Sequence, residues 1–292
     1  MAWMLAPLRP GQLPSSRMPK QVLLCPPRYF DVVDQKNPYM SGKSPVDSAK
    51  ASAQWQALCA ALEESGYEVV TIDPAPGLED MVFAANQAFV GYKEGIGRFV
   101  VPSRMVHASR QREVAFFLDW YRQRGYRVID LDLGGDHFEG HGDFLWHPDG
   151  SRIYAGYGFR TTRGGVDKFT TAMSKLGIPV IPLQLVDPYC YHLDTCLCPL
   201  NDEAVLIYPA AYSPEALHSL PQFWKRIHEL TADEAHTFMG NGIVASERYI
   251  TPYTTPQLDA ILKQEGLTPY LLDTSEFEKA GGSVFCMKTF LP

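Results

Sequence analysis

Cysteine is scarce: Cys25, Cys59, Cys190, Cys196, Cys198 and Cys286 are six thiols in 292 residues, irregularly spaced. So thin a set excludes a disulfide scaffold and fits a reducing, cytoplasmic compartment. No apolar run approaches the ~18 residues a membrane span needs. Basic residues are outnumbered, 26 Lys and Arg against 33 Asp and Glu, for a net charge of −7. Without clustered Lys and Arg there is no surface for nucleic acid. A glycine fingerprint at the first strand-to-helix turn is also missing, which counts against a dinucleotide-binding doubly wound sheet. What remains is a globular chain, 46% hydrophobic and long enough for a substantial core.

Residues 1–20 carry Arg9, Arg17 and Lys20, several prolines and no acid. They read as a flexible lead-in rather than a transit peptide, because proline breaks the amphipathic helix such a peptide forms. The folded domain is expected over 21–292, with a homo-oligomer left open.

From residue 21 the chain repeats a phrase: an amphipathic helix, a glycine that stops it, then a β run. Helix 54–65, with Leu58, Ala61 and Leu62, stops at Gly66 before YEVVTID; helix 112–124, with Phe116, Phe117 and Trp120, stops at Gly125 before YRVIDLD. Helix 170–176 with Gly177 and IPVIPLQL, and helix 257–265 with Gly266 and LTPYLLD, repeat it. A further helix is expected over 214–230. Paired β runs lie between, VFAANQAFV with RFVVP and DTCLCPL with AVLIYP. A period of roughly fifty residues implies stacked supersecondary units. Five fill the folded chain, which favours an α/β fold closed as a ring of ββαβ-type units with the site where they converge.

The densest chemistry is the stretch 134–146, GGDHFEGHGDFLW, with Asp136, Glu139 and Asp143 among four glycines. Carboxylates this close repel, so a cation is expected among them; the plain alternative is a solvated acidic turn. His137 and His141 allow a zinc drawing, but an i, i+4 pair converges only on a helix, and a run so rich in glycine is a poor one. His192 and Asp194, in what reads as a strand, would share a face and pair a base with a carboxylate. Cys286 follows Gly281 and Gly282, which let backbone approach a ligand. Otherwise it is a buried hydrophobe.

Asn37 in YFDVVDQKNPYM, Asp80 and Asn86 in DMVFAAN, Arg110, FEGHGD, GYGFRT, His192-Leu-Asp194 and GGSVFC occur in that order and cover nearly the whole folded chain. Together they resemble the guanidino-group-modifying enzymes, namely arginine deiminases, dimethylarginine dimethylaminohydrolases, amidinotransferases and arginine dihydrolases. The resemblance implies a five-bladed α/β propeller, the pentein fold, with pseudo-fivefold symmetry. It makes Cys286 the nucleophile and His192 the general acid/base. Asp80, Asn86, Glu139, Asp143 and Asp194 would line the guanidinium pocket, and Asn37, Arg110, Arg160 and the backbone of Ala280 would hold the amino acid's carboxylate end. The implied partner is a small guanidino substrate, and no metal or organic cofactor is required. Asn86, where deiminases and dimethylarginine hydrolases carry an acid, is similar to the arginine dihydrolases, which give ornithine. Departures are His141 inside EGxGD, where its bulk is expected beside the pocket, Ser283 in place of a third glycine, and a longer hairpin over 91–98. The other readings are an arginine deiminase, a dimethylarginine hydrolase, and a propeller that binds a guanidino ligand without turning it over.

Overall fold

The computed structural model describes residues 21–42 and 44–292, so the expected lead-in lies outside the described residues. Strands β1 (Gln21–Leu24) and β2 (Glu68–Thr71) run parallel, with Leu23 facing Val70. Three strands follow, β3 (Ala88–Lys93), β4 (Gly97–Pro102) and β5 (Arg127–Val128): the first two antiparallel, the third parallel to the second. The same order recurs in β6 (Phe144–Trp146), β7 (Ile153–Tyr157) and β8 (Val180–Gln184), and in β9 (Leu197–Pro199), β10 (Ala204–Ile207) and β11 (Arg226–Glu229). It returns in β12 (Ile243–Ala245), β13 (Arg248–Thr251) and β14 (Thr268–Leu271). Finally β15 (Lys288–Leu291) comes back antiparallel to β1, pairing Leu291 with Gln21, and completes the first sheet. The result is an α/β fold of five three-stranded sheets, each an antiparallel pair, a helix and a parallel third strand.

The repeated glycine phrase has a local cause. At Gly66, Gly125, Gly177 and Gly266 φ is +89, +77, +67 and +74, the left-handed region that ends a helix. The residue after each glycine donates its N–H back across the last turn, Tyr67 to Leu62, Tyr126 to Tyr121, Ile178 to Met173 and Leu267 to Leu262, at 2.8–3.2 Å. All eight of these side chains are buried, so the stop signal also packs the strand onto its helix.

The helices differ from expectation where local chemistry outweighs apolar periodicity. The first runs over Ser48–Glu64, six residues earlier than read, because the side chain of Asp47 caps it through the N–H groups of Ala49 and Lys50. The third runs over Arg163–Ser174 from a Thr162 cap, its start masked by Gly164 and Gly165. A Cβ at Gly165 would lie 2.1 Å from the carbonyl oxygen of His137, so close approach dictates that glycine. The helix expected over 214–230 is only Pro214–Ser219: Pro221, lacking an N–H, ends it, and Arg226–Glu229 is strand. Phe116 is 47% exposed, while Phe117, Trp120 and Tyr121 form the buried face of helix Glu113–Gln123 against Val90 and Val100. Similar faces pack elsewhere: Phe169 and Met173 meet Phe89, Phe99 and Ile153 in another cluster. Truncating one such phenylalanine to alanine costs about 3–5 kcal/mol, a large share of a typical total of about 5–15.

Among the described residues no helix is long and apolar enough to cross a membrane.

Candidate active site

The sheets place chemistry at one topological position. The segment just ahead of a sheet's first strand brings Asp80 and Asn86 (before β3), Glu139 and Asp143 (before β6), His192 and Asp194 (before β9), Asn241 (before β12) and Cys286 (before β15). Segments after the middle strands β1, β4 and β7 add Asn37, Arg110 and Arg160. A cavity of about 20 Å³, room for one water, is lined among others by Lys36, Asn37, Asp80, Phe83, Asn86, Arg110, Arg160, Tyr191, His192, Ala280 and Cys286.

Cys286 is 3% exposed. Its Sγ–H donates to Oδ2 of Asp194 at 3.3 Å, while Nδ2 of Asn241 donates to Sγ at 3.3 Å. Burial and the neighbouring Asp194 carboxylate push the thiol well above its ordinary value. Burial also raises Asp194 to about 7. The other nitrogen–hydrogen of Asn241 reaches the carbonyl of Asp194 at 2.9 Å, and its Oδ1 accepts from Phe285 and Cys286 N–H at 3.2 and 3.4 Å. Asn241, which sequence reasoning passed over, therefore fixes the thiol to the Asp194 turn. The available signal was positional, since GNG stands ahead of β12 as the other site segments stand ahead of their strands.

His192 and Asp194 do not share a strand face. Residues Leu193–Thr195 form a 3-10 turn with His192 at its start, because the Leu193 N–H is drawn to Oδ1 of Asp143 at 3.1 Å. The turn sends the two side chains to different partners: Asp194 meets Cys286, and Nε2 of His192 donates to Oε2 of Glu139 at 2.8 Å. Burial lowers His192 to about 4, so the imidazole is neutral at pH 7 and Nδ1 is its accepting nitrogen. For Glu139, burial acts upward, but the Arg160 guanidinium and the His192 hydrogen bond outweigh it and hold the carboxyl well below its usual range. Arg160 donates to that carboxylate at 3.2 Å and to the carbonyl of Lys36 at 2.9 Å, its guanidinium 4.7 Å from the centre of the Tyr191 ring.

Neither Glu139, Asp143 nor Asp194 is among the cavity-lining residues, so these three stand behind the pocket that sequence reasoning expected them to line. Asp143 accepts from Thr161 Oγ1 at 2.7 Å and from the Leu193 N–H, bracing those two segments, and burial raises it well above a normal carboxyl. Residues Gly140–Asp143 make one helical turn despite their glycines, and tight packing explains the composition. A Cβ at Gly140 would lie 2.5 Å from the Ala88 carbonyl, and one at Gly142 2.3 Å from Nδ2 of Asn86.

His141 is not in the pocket. Its Nε2 accepts from the Val90 N–H at 3.0 Å and its Nδ1 faces the Phe144 carbonyl at 3.2 Å, with the ring 4.6 Å from Phe89. Burial lowers it to about 3, so it is a neutral staple between β3 and β6. Asp136 pairs instead with Lys168 at 2.9 Å, and among the described residues no three His, Cys, Asp or Glu side chains group as metal ligands.

Asn37 caps a short turn by accepting from the Tyr39 N–H and donates to the Ala280 carbonyl at 2.9 Å. Gly281, at φ +85, lies so near that a Cβ would be 2.5 Å from the Asn37 amide. Asp80 faces Nζ of Lys36 at 3.1 Å; Lys36, a second residue the sequence hid, is also paired with Asp34 and Glu79. Arg110 donates to Glu113, to the carbonyls of Asp80 and Phe83, and from Nη1 to Oδ1 of Asn86 at 3.0 Å. Occupying that oxygen orients the Asn86 amide, and its Nδ2 has no partner among the described residues. The site thus offers, within one enclosure, a thiol, a neutral imidazole and an amide donor.

A sequence model of the family described as N,N dimethylarginine dimethylhydrolase, eukaryotic, matches residues 31–290. The N(G),N(G)-dimethylarginine dimethylaminohydrolase of Mycobacterium tuberculosis is 34% identical, over 94% of this chain and 87% of that one. A bifunctional arginine dihydrolase/ornithine cyclodeaminase of a Synechocystis species is 35% identical over 91% of this chain but only 37% of its own length, so the present chain spans little more than a third of that relative. Among solved structures, the N-terminal domain of a cyanobacterial arginine dihydrolase, a cysteine-to-serine variant bound to substrate, superimposes with a TM-score of 0.85 at 31% identity, over 92% of this chain and 97% of that one.

Proposed function

Because the chain belongs to the dimethylarginine dimethylaminohydrolase family of guanidino-group-modifying enzymes, hydrolases of guanidino C–N bonds, we propose that it is an arginine dihydrolase. It takes arginine and two waters to ornithine, two ammonias and carbon dioxide, through a thiouronium on Cys286. The observation that carries this reading is the amide of Asn86, a cavity-lining residue whose oxygen is held by Arg110 and whose buried Nδ2 has no partner among the described residues.

In this reading the bound guanidinium's charge ionises the Cys286 thiol, whose proton passes to Nδ1 of His192 across the cavity both residues line, and the thiolate attacks the guanidinium carbon. Glu139 stabilises the imidazolium, which hands the proton to the departing ammonia and then accepts one from water. A carboxylate at position 86 would favour the cationic starting group and release neutral citrulline. An amide N–H suits the ureido oxygen of citrulline, so this intermediate stays for a second attack. The carboxylate end of the substrate falls mainly to Arg160: of five guanidinium N–H donors, Arg110 commits most to Glu113, Asn86 and backbone carbonyls. Asn37 and Ala280 shape that end through their mutual hydrogen bond, and Asp80 balances Lys36. We take the five sheets to be blades of a propeller with pseudo-fivefold symmetry and residues 21–292 to be one cytoplasmic catalytic domain, a reading supported by the repeated strand order and the likeness to the cyanobacterial enzyme.

Citrulline, ornithine and ammonia measured together after complete consumption of arginine test this. Ornithine with two ammonias is expected, and Asn86→Asp should shift the product toward citrulline or stop turnover. Stoichiometric citrulline with one ammonia from the wild type would overturn the dihydrolase reading. The matched family model favours a second reading, in which dimethylarginine yields citrulline and dimethylamine; dimethylarginine in a parallel assay separates the two.

A further inference from the structure

Lysine is seldom buried, because stripping water from an ammonium is costly. Lys288 nevertheless opens β15, two residues after Cys286, and is 2% exposed. Its Nζ lies 3.0 Å from the centroid of the Phe285 ring and 4.5 Å from that of Phe290. Among the described residues no carboxylate oxygen comes within the 4.0 Å of an ion pair. The titratable groups that feel its charge are Asp194 and Cys198 from the β9 segment, Cys286 from its own, and His141 from the segment ahead of β6. His141 is neutral and both its nitrogens face backbone, which leaves Asp194 as the one carboxylate of the group. Burial draws Lys288 down to about 7, and Asp194 leads the groups acting against that.

Asp194 is equally poorly compensated. Its Oδ1 has no hydrogen-bond partner among the described residues, and its Oδ2 accepts the Cys286 Sγ–H. Once the S–H bond breaks and its proton leaves the site, a thiolate and a carboxylate face each other in an enclosure with room for one water, an arrangement that favours a cation nearby and in turn keeps that cation protonated. We propose that Lys288 is a positioning residue whose ammonium, seated against Phe285 and Phe290, offsets the second negative charge and so sets the pH at which Cys286 ionises. The aromatic faces suit this task, since they favour the charged ammonium without neutralising it. The proposal rests on Cys286 being the nucleophile and is independent of which product forms.

The test follows alkylation of the Cys286 peptide by iodoacetamide against pH, without substrate, in the full chain, with folding checked by circular dichroism. In Lys288→Met the acid limb should move up by at least about one pH unit, so that alkylation at the wild-type midpoint slows about tenfold. Lys288→Arg, which keeps the charge, should stay near the wild type. A folded Lys288→Met with an unmoved limb, or a Lys288→Arg displaced as far as Lys288→Met, overturns the proposal. Should Lys288→Met not fold, Phe285→Leu decides: a limb moved upward supports the charge role, and an unmoved limb refutes it. Product stoichiometry from arginine is read on the same preparations, so failure of the dihydrolase reading shows separately.

Discussion

The thiol of Cys286 is held by two hydrogen bonds of opposite sense, donating to Asp194 and accepting from Asn241. Cys286→Ser should therefore leave the enclosure intact and abolish turnover, since a serine hydroxyl beside the same groups is far less ionised than a thiol. Arginine binding by calorimetry should persist; a turnover rate near wild type would remove the covalent mechanism. At this scale the family resemblance, more than residue type, pointed to Cys286, His192 and Asn86, and the fold places all three around one cavity. Sequence reasoning paired His192 with Asp194 instead of Glu139, because Glu139 lies 53 positions away and only the fold brings it to 2.8 Å. Lys36 and Lys288 were invisible for a related reason: lysine reads as surface, and only a ring of carboxylates in one case and two phenylalanines in the other keep these inside.

The elements were most legible where their signal is local. Each helix-ending glycine is written beside the strand it introduces, and both sides of the motif appear within six residues. The motif permits a clean test at Gly266, where φ is +74 and a Cβ would meet nothing within 4 Å. Gly266→Ala should cost only backbone strain, about 1–2 kcal/mol. For a chain of this size that lowers Tm by a few degrees, readable by calorimetry. A loss below about 0.3 kcal/mol would mean the turn relaxes out of the left-handed region at no cost. Beginnings of helices were less legible than their ends, because Asp47 and Thr162 cap through side-chain oxygens while the residues that follow lack a strong apolar rhythm. The short helix Pro214–Ser219 is the exception at the other end, stopped by proline where its sister units use glycine.

On the scale of the whole molecule, neutral histidines in the interior tie stability to pH. His141 and His192 fall from 6.5 to about 3 and about 4, so the stability each contributes is complete above 6.5 and is lost as pH falls toward those values. Asp194, raised to about 7, runs the other way: its contribution is complete below 3.8 and is lost as pH rises through 7. Because the two signs oppose, a difference measurement isolates the staple. His141→Gln keeps an acceptor for Val90 but does not titrate, so its deficit in urea unfolding against wild type should shrink by about 1.4 kcal/mol per pH unit below 6.5. A deficit constant from pH 7 to 5 would show the imidazole to be protonated inside. The number of units and a closed ring were expected from the repeated phrase, but the strand that completes the first unit was not legible, since nothing near β1 announces a partner at Lys288–Leu291. That closure bears on synthesis. A chain emerging from the ribosome carries β1 with one edge unpaired until the strands between it and β15 have been made, and the segment that supplies the missing edge also delivers Cys286. On the proposed mechanism, partly folded nascent chains lack the nucleophile, and guanidino hydrolysis begins only in molecules whose first sheet has been sealed.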